Sequence, residues 1–137
     1  MTDPDLVLKK LARIETCVQE LRSMANAAAL GRDVREERWV EHTLQIAIQA
    51  AIDAAAHIVA EERLGEARTQ RELFDLLARA GWLPLELLDR IRRMCGFRNI
   101  LVHGYDEVDL SIVRDVLEHG LDDLLEFVRV LRKRVGS

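Results

Sequence analysis

The sequence predicts an all-α fold, an antiparallel bundle of four to five helices, and three observations carry that expectation. Among 137 residues there are only seven Gly and two Pro, too few for the many tight turns of a β-sandwich or barrel. Aromatic residues are scarce, with three Phe, two Trp and one Tyr, whereas a strand-rich core favours aromatic and β-branched side chains. The apolar share is 49%, largely Ala and Leu, beside 32% charged residues, a mixture suited to amphipathic helices. The length suits one domain, residues 1–137.

The elements follow in order. Asp3-Pro4 reads as an N-cap and a first helical proline. Val7, Leu11, Ile14, Val18, Leu21, Ala25 and Ala28 then form one stripe, predicting a helix to about Ala28. Gly31-Arg32-Asp33 marks a turn, and a second helix is expected from about Val34 to about Glu62. Each of these two would be about 40 Å long, which suits an antiparallel pair. In the second helix Gln49, Asp53 and His57 share one face and nearly everything else from 44 to 60 is apolar. That pattern predicts a central helix or one lining a subunit interface. Thr69 to Glu72 fits a capping box opening a short third helix with Leu73, Phe74, Leu76 and Leu77 inside, and Gly81 fits its C′ position. A fourth helix follows Pro84 and should fray near His103-Gly104; Asp109 caps a single last helix striped by Val113, Val116, Gly120, Leu124, Phe127, Leu131 and Val135.

The totals narrow the function. The net charge is -4, so any nucleic-acid role must rest on a local site and not on a generally basic surface. Cys17 and Cys95 form no C-x-x-C pair and are expected as buried, reduced thiols. The first ten residues lack an apolar stretch of signal-peptide length, and Ile46 to Ala60 reads as too short and too polar to span a membrane. A soluble, cytoplasmic protein without a membrane role is the expectation.

The informative stretch is Arg98-Asn99-Ile100-Leu101-Val102-His103-Gly104-Tyr105-Asp106. Arg98 and His103 lie about 140° apart on an ideal helix. They could face one point only if the helix ended after Val102 and Gly104 let the chain turn. Histidine moves protons near neutral pH and arginine offers a planar fork to a phosphate. Together, without a metal cluster, they suit phosphodiester cleavage by the RNA 2′-hydroxyl, with Arg98 stabilising the charged transition state. One histidine is not readily both base and acid in one step, so a symmetric dimer, supplying two, is a mechanistic expectation. Taken alone, the pair also admits a plainer reading: Arg98 in a surface ion pair and His103 as a polar helix end. Arg90, Arg92, Arg93 and Arg98 make the fourth helix locally basic, either a solvated face or candidate RNA contacts leading to a cleft. Asp53 and His57, four apart, lack a third ligand of suitable spacing, so no metal site is assigned; a mutual hydrogen bond, a polar seam or support of the cleft remain open.

Arg98-Asn99-Ile-Leu-Val-His103-Gly-Tyr105 resembles the R-N-x-x-x-H-x-Y motif of HEPN-domain proteins, and most of all the HepT toxin family. Leu44 to Val59 is similar to that family's central helix, and Arg71-Glu72-Leu73-Phe74 with Leu77-Ala78 and Gly81 also fits; the likeness spans about residues 5 to 132. The resemblance implies a helical bundle that dimerises with its motifs facing across a cleft. It implies a metal-independent endoribonuclease needing no cofactor, the toxin of a toxin–antitoxin pair. Its implied partners are RNA and a minimal nucleotidyltransferase antitoxin, MntA, which transfers AMP to the motif tyrosine. By position, Arg98 and His103 would be catalytic, Asn99 supporting and Tyr105 the AMP acceptor; Asp53 joins the supporting residues from its place on the polar face of the second helix, not from the resemblance. The alternative is a non-catalytic helical dimer that docks the nucleotidyltransferase or a nucleotide.

Overall fold

The computed structural model describes residues 4–103 and 109–136, and of His103 only the backbone. Helices α1 (Pro4–Met24) and α2 (Val34–Glu61) form a long pair. α1 buries Val7, Leu11, Ile14, Cys17, Val18 and Leu21, the expected stripe with Cys17 added, but it stops at Met24 and not near Ala28. Asn26 explains the early end. Its side-chain oxygen accepts from the Ala28 N–H at 3.2 Å and caps a separate 3-10 turn, Ala27–Ala29, so a local polar bond replaces the next helical turn. Asp33 then caps α2 by accepting from the Arg35 N–H at 2.9 Å.

α2 is the central helix, in contact with α1, with the third and fourth helices and with the last one. Leu44, Ala47, Ala54, Ala55 and Ile58 are fully buried. One sequence expectation is corrected here. Val34–Glu61 as a whole is long and apolar enough to cross a membrane, with a mean hydropathy of 1.3 over its most apolar window. That window is 61% buried inside the protein, because the same apolar surface is used to pack four neighbouring helices.

α3 (Gln70–Arg79) opens on Thr69, whose hydroxyl accepts from the Glu72 N–H at 3.3 Å. The Glu72 carboxylate reaches one residue beyond the expected capping partner and accepts from the Arg68 N–H at 2.8 Å. α3 ends in a Schellman motif: Gly81, at φ +82°, donates to the Ala78 carbonyl at 3.1 Å and Trp82 to the Leu77 carbonyl at 2.8 Å. Trp82 is then buried under the Arg134 guanidinium, 4.3 Å from the ring centre.

α4 runs from Leu85 to His103. The expected single last helix is instead three pieces in one continuous run: α5 (Leu110–Asp115), a π turn (Val116–Gly120) and α6 (Leu121–Val135). The π turn coincides with a close approach to α4. A Cβ on Gly120 would lie 2.8 Å from Met94 Cε and 3.0 Å from Val116 Cγ1, so glycine leaves the space that the flexible end of the Met94 side chain from α4 fills. Asp109 caps the run through the Ser111 N–H at 2.9 Å. α6 closes the core, with Phe127 edge-on to Phe74 of α3 at 5.9 Å between centres. It is tied to α1 by a forked Arg132–Glu15 pair, one arm at 2.8 Å.

Candidate functional site

The last turns of α4 carry the motif. Helicity continues through His103, one residue beyond the break after Val102 that would have let Arg98 and His103 converge. Positions 98 and 103 therefore remain about 140° apart around the axis, and α4 alone does not bring them to one point. Arg98 is half-buried, and its Nε is fully buried without a hydrogen-bond partner among the described residues. Asn99 is exposed, and Ile100 stays 42% exposed at the same end of the helix. Gly104, Tyr105 and Asp106 lie outside the described residues, as does the side chain of His103.

Cys95 sits one turn before the motif, buried. Burial pushes its thiol above the usual range, while the guanidinium charges of Arg71 and Arg98 pull the other way. Arg71 comes from α3. It lies across Gly96, where a Cβ would stand only 2.5 Å from its Nη2. Sequence reasoning used Arg71 only as part of a family pattern. The one signal that could have singled it out is Gly96, a helix-weakening residue in mid-helix.

Asp53 belongs to a different group. Its Oδ1 accepts from Gln49 Nε2 at 2.8 Å and its Oδ2 pairs with Lys10 Nζ at 3.4 Å. The polar seam thus runs from Gln49 to Asp53 and on to α1, while His57 Nε2 and Gln49 Oε1 are buried without partners. Among the described residues no three His, Cys, Asp or Glu side chains are grouped to hold a metal ion. Of the three basic residues before the motif, Arg90 pairs with Asp123 at 2.9 Å and Arg92 with Asp75 at 3.3 Å. Arg90 and Arg93 line a cavity of about 250 Å³ between α4 and the π turn, floored by Met94, Phe97 and Val116. Burial raises the Asp123 carboxyl above its ordinary value, against the pull of the neighbouring Arg90.

Residues 10–131 match the family described as Ribonuclease HepT-like. The mRNA nuclease HepT of Shewanella oneidensis is 33% identical over 129 residues, 93% of this chain and 97% of that protein. A crystal structure of a toxin–antitoxin with AMP-PNP superposes with a TM-score of 0.88 at 32% identity, over 94% of this chain and 98% of that one. The tri-AMPylated Shewanella oneidensis HEPN toxin in complex with MNT antitoxin superposes with a TM-score of 0.87 at 32% identity, over 97% and 99%.

Proposed function

We infer that this chain, which belongs to the HepT-like ribonuclease family, is a HEPN ribonuclease toxin neutralised by AMP transfer from a nucleotidyltransferase antitoxin. The observation that carries the reading is the match, along 97% of the chain, to a tri-AMPylated toxin seen with its antitoxin. RNA and an MntA-like antitoxin are accordingly its partners, and it works as a dimer.

The residue roles are our own assignment. His103 takes the proton of the RNA 2′-hydroxyl as that oxygen attacks the adjacent phosphorus. The bond from phosphorus to the 5′-oxygen breaks, leaving a 2′,3′-cyclic phosphate, and the departing oxygen receives a proton from the partner subunit's copy of the same histidine. Arg98 stabilises the phosphorane-like charge. The angular separation of positions 98 and 103 on α4 favours a site assembled across a two-fold axis. Asn99 orients these groups. Asp53, engaged with Lys10 and Gln49, supports the helix behind them. No step needs a metal ion. Tyr105 is the AMP acceptor: its phenol oxygen attacks the α-phosphate of ATP and pyrophosphate leaves. The adduct adds bulk and negative charge where the RNA backbone must lie. We place the protein in the cytoplasm, where RNA is at hand and the two thiols stay reduced.

The test uses purified protein and RNA in the presence of a chelator. Wild type is expected to cleave, and His103→Ala to keep its melting temperature and lose cleavage. Cleavage by the alanine variant at the wild-type rate would remove His103 from the mechanism. Intact mass after co-expression with the cognate nucleotidyltransferase should rise by whole AMP units in wild type and not in Tyr105→Phe. As Tyr105 is the sole tyrosine, an unmodified wild type would refute the acceptor assignment.

A further inference from the structure

Gly96 lies in the middle of α4, where glycine weakens a helix. What occupies the space of its missing side chain is a cation. A Cβ there would meet Arg71 Nη2 at 2.5 Å, Cζ at 3.4 Å and Nε at 3.6 Å, so the guanidinium group lies directly against the helix. The seat is held from the next turn. Asp75, four residues on in α3, pairs with Arg92, four residues back in α4, at 3.3 Å. The two helices are thus locked side by side with Arg71 at the motif end.

The helical register decides what Arg71 faces. Positions 96, 99 and 103 are spaced i, i+3 and i+7, within about 60° of one another around the axis. Arg71 therefore overlies the side of α4 that carries Asn99 and, about 6 Å beyond Asn99, position 103. The charges are uneven. Arg90 and Arg92 are neutralised by Asp123 and Asp75, whereas no carboxylate among the described residues pairs with Arg71 or Arg98. Both bear on Cys95 between them. Two guanidinium groups without a carboxylate partner among the described residues, Arg71 of α3, exposed, and Arg98 of α4, half-buried, lie near this end of α4, repel each other and favour an anion.

We propose that Arg71 is a phosphate-binding residue of the RNA site, seated on α4 by Gly96 and presented beside Asn99 to a phosphate of the substrate strand. This rests on the ribonuclease reading above. The guanidinium fork offers paired N–H donors to one phosphate, and its position against backbone means that a side chain at 96 would lift it away.

The experiment measures binding of a fluorescent single-stranded oligoribonucleotide to the His103→Ala protein, which leaves the RNA intact, across a salt series. Adding Arg71→Ala should weaken binding about tenfold and lower the slope of log K against log salt by about 0.7, one phosphate contact. Arg71→Lys should restore the slope and part of the affinity. Gly96→Ala should raise the melting temperature and still weaken binding, a combination that a merely structural arginine would not produce. Unchanged affinity and slope in Arg71→Ala, with the parent still binding RNA, would overturn the proposal and leave the ribonuclease reading intact. A Gly96→Ala protein that binds as the parent does would overturn the seat. Failure of wild type to cleave RNA and of the parent to bind it would instead refute the ribonuclease reading, and this proposal with it.

Discussion

Arg63→Gly should give a more stable bundle than Arg63→Ala. α2 and α3 end in the same hydrogen-bond pattern: Arg63 donates to the Ala60 carbonyl at 3.3 Å and Leu64 to the Val59 carbonyl at 3.0 Å, as Gly81 and Trp82 do after α3. The residue in the left-handed position differs. After α3 it is Gly81, and after α2 it is Arg63 at φ 53°, where a side chain costs about 1–2 kcal/mol. Glycine removes that cost but gains freedom in the unfolded chain, which takes back about 0.4–1 kcal/mol. The positive charge near the helix C-terminus is lost as well, at about 0.3–1 kcal/mol. Arg63→Ala isolates the backbone effect, since it loses the same charge and keeps the strain. The glycine variant should exceed the alanine variant by about 0.5–1 kcal/mol. With an unfolding entropy of about 2.1 cal/mol/K per residue, that is about 2–3 °C in Tm, read by circular dichroism melts. Gly81→Ala should shift Tm in the opposite direction. A glycine variant melting at or below the alanine variant would refute the argument that this turn is strained.

Two further expectations concern the core and its ties. Phe127→Ala removes a fully buried ring from its contact with Phe74 and should cost about 3–5 kcal/mol, measured by urea denaturation; a loss below about 1 kcal/mol would mean that the core recloses around the gap. The Arg132 fork holds the Glu15 carboxyl below its ordinary value. Its contribution is therefore present above the unfolded-state pKa and is lost as pH falls through the lower folded value. Both side chains are partly exposed, so the pair contributes under about 1 kcal/mol. Glu15→Gln should melt slightly below wild type at pH 7 and converge with it in acid; a gap that widens in acid would contradict the assignment.

What was legible in the sequence was what is local. Thr69 and Asp109 cap helices through bonds to residues three and two along, and Gly81 ends one by its own conformation. The end of α1 was not legible because Ala25 and Ala28 continue the apolar stripe, and only the Asn26 side chain, bonded within its own turn, shows why the helix stops. The π turn was hidden because spacings of three and four across residues 113 to 135 fit one α-helical stripe. The site divides in the same way. Arg98, Asn99 and position 103 could be read from one segment, whereas the seat of Arg71 on Gly96 joins residues 25 apart on two helices. Nothing in either segment alone shows that they meet. Asp53 was named for its place on a polar face, but its partner Lys10 is 43 residues away.

The π turn has a consequence for chain length. A π turn accommodates one residue more than an α-helix would over the same rise, and one residue corresponds to about 100° of rotation. It acts as a phase compensator between α5 and α6: its five residues cover about the rotation and rise of one fewer α-helical residue. Deleting the exposed His119 would therefore close the turn into plain α-helix and leave both flanks in place, α6 clamped by Phe127 and the Glu15 fork and Ile112 and Asp115 still at the cavity beside α4. A further deletion would find no slack left and would turn one flank against the other by about 100°. Among homologues, the loss of one residue between 116 and 120 is thus slack taken up in the turn, and the loss of two is a change of face.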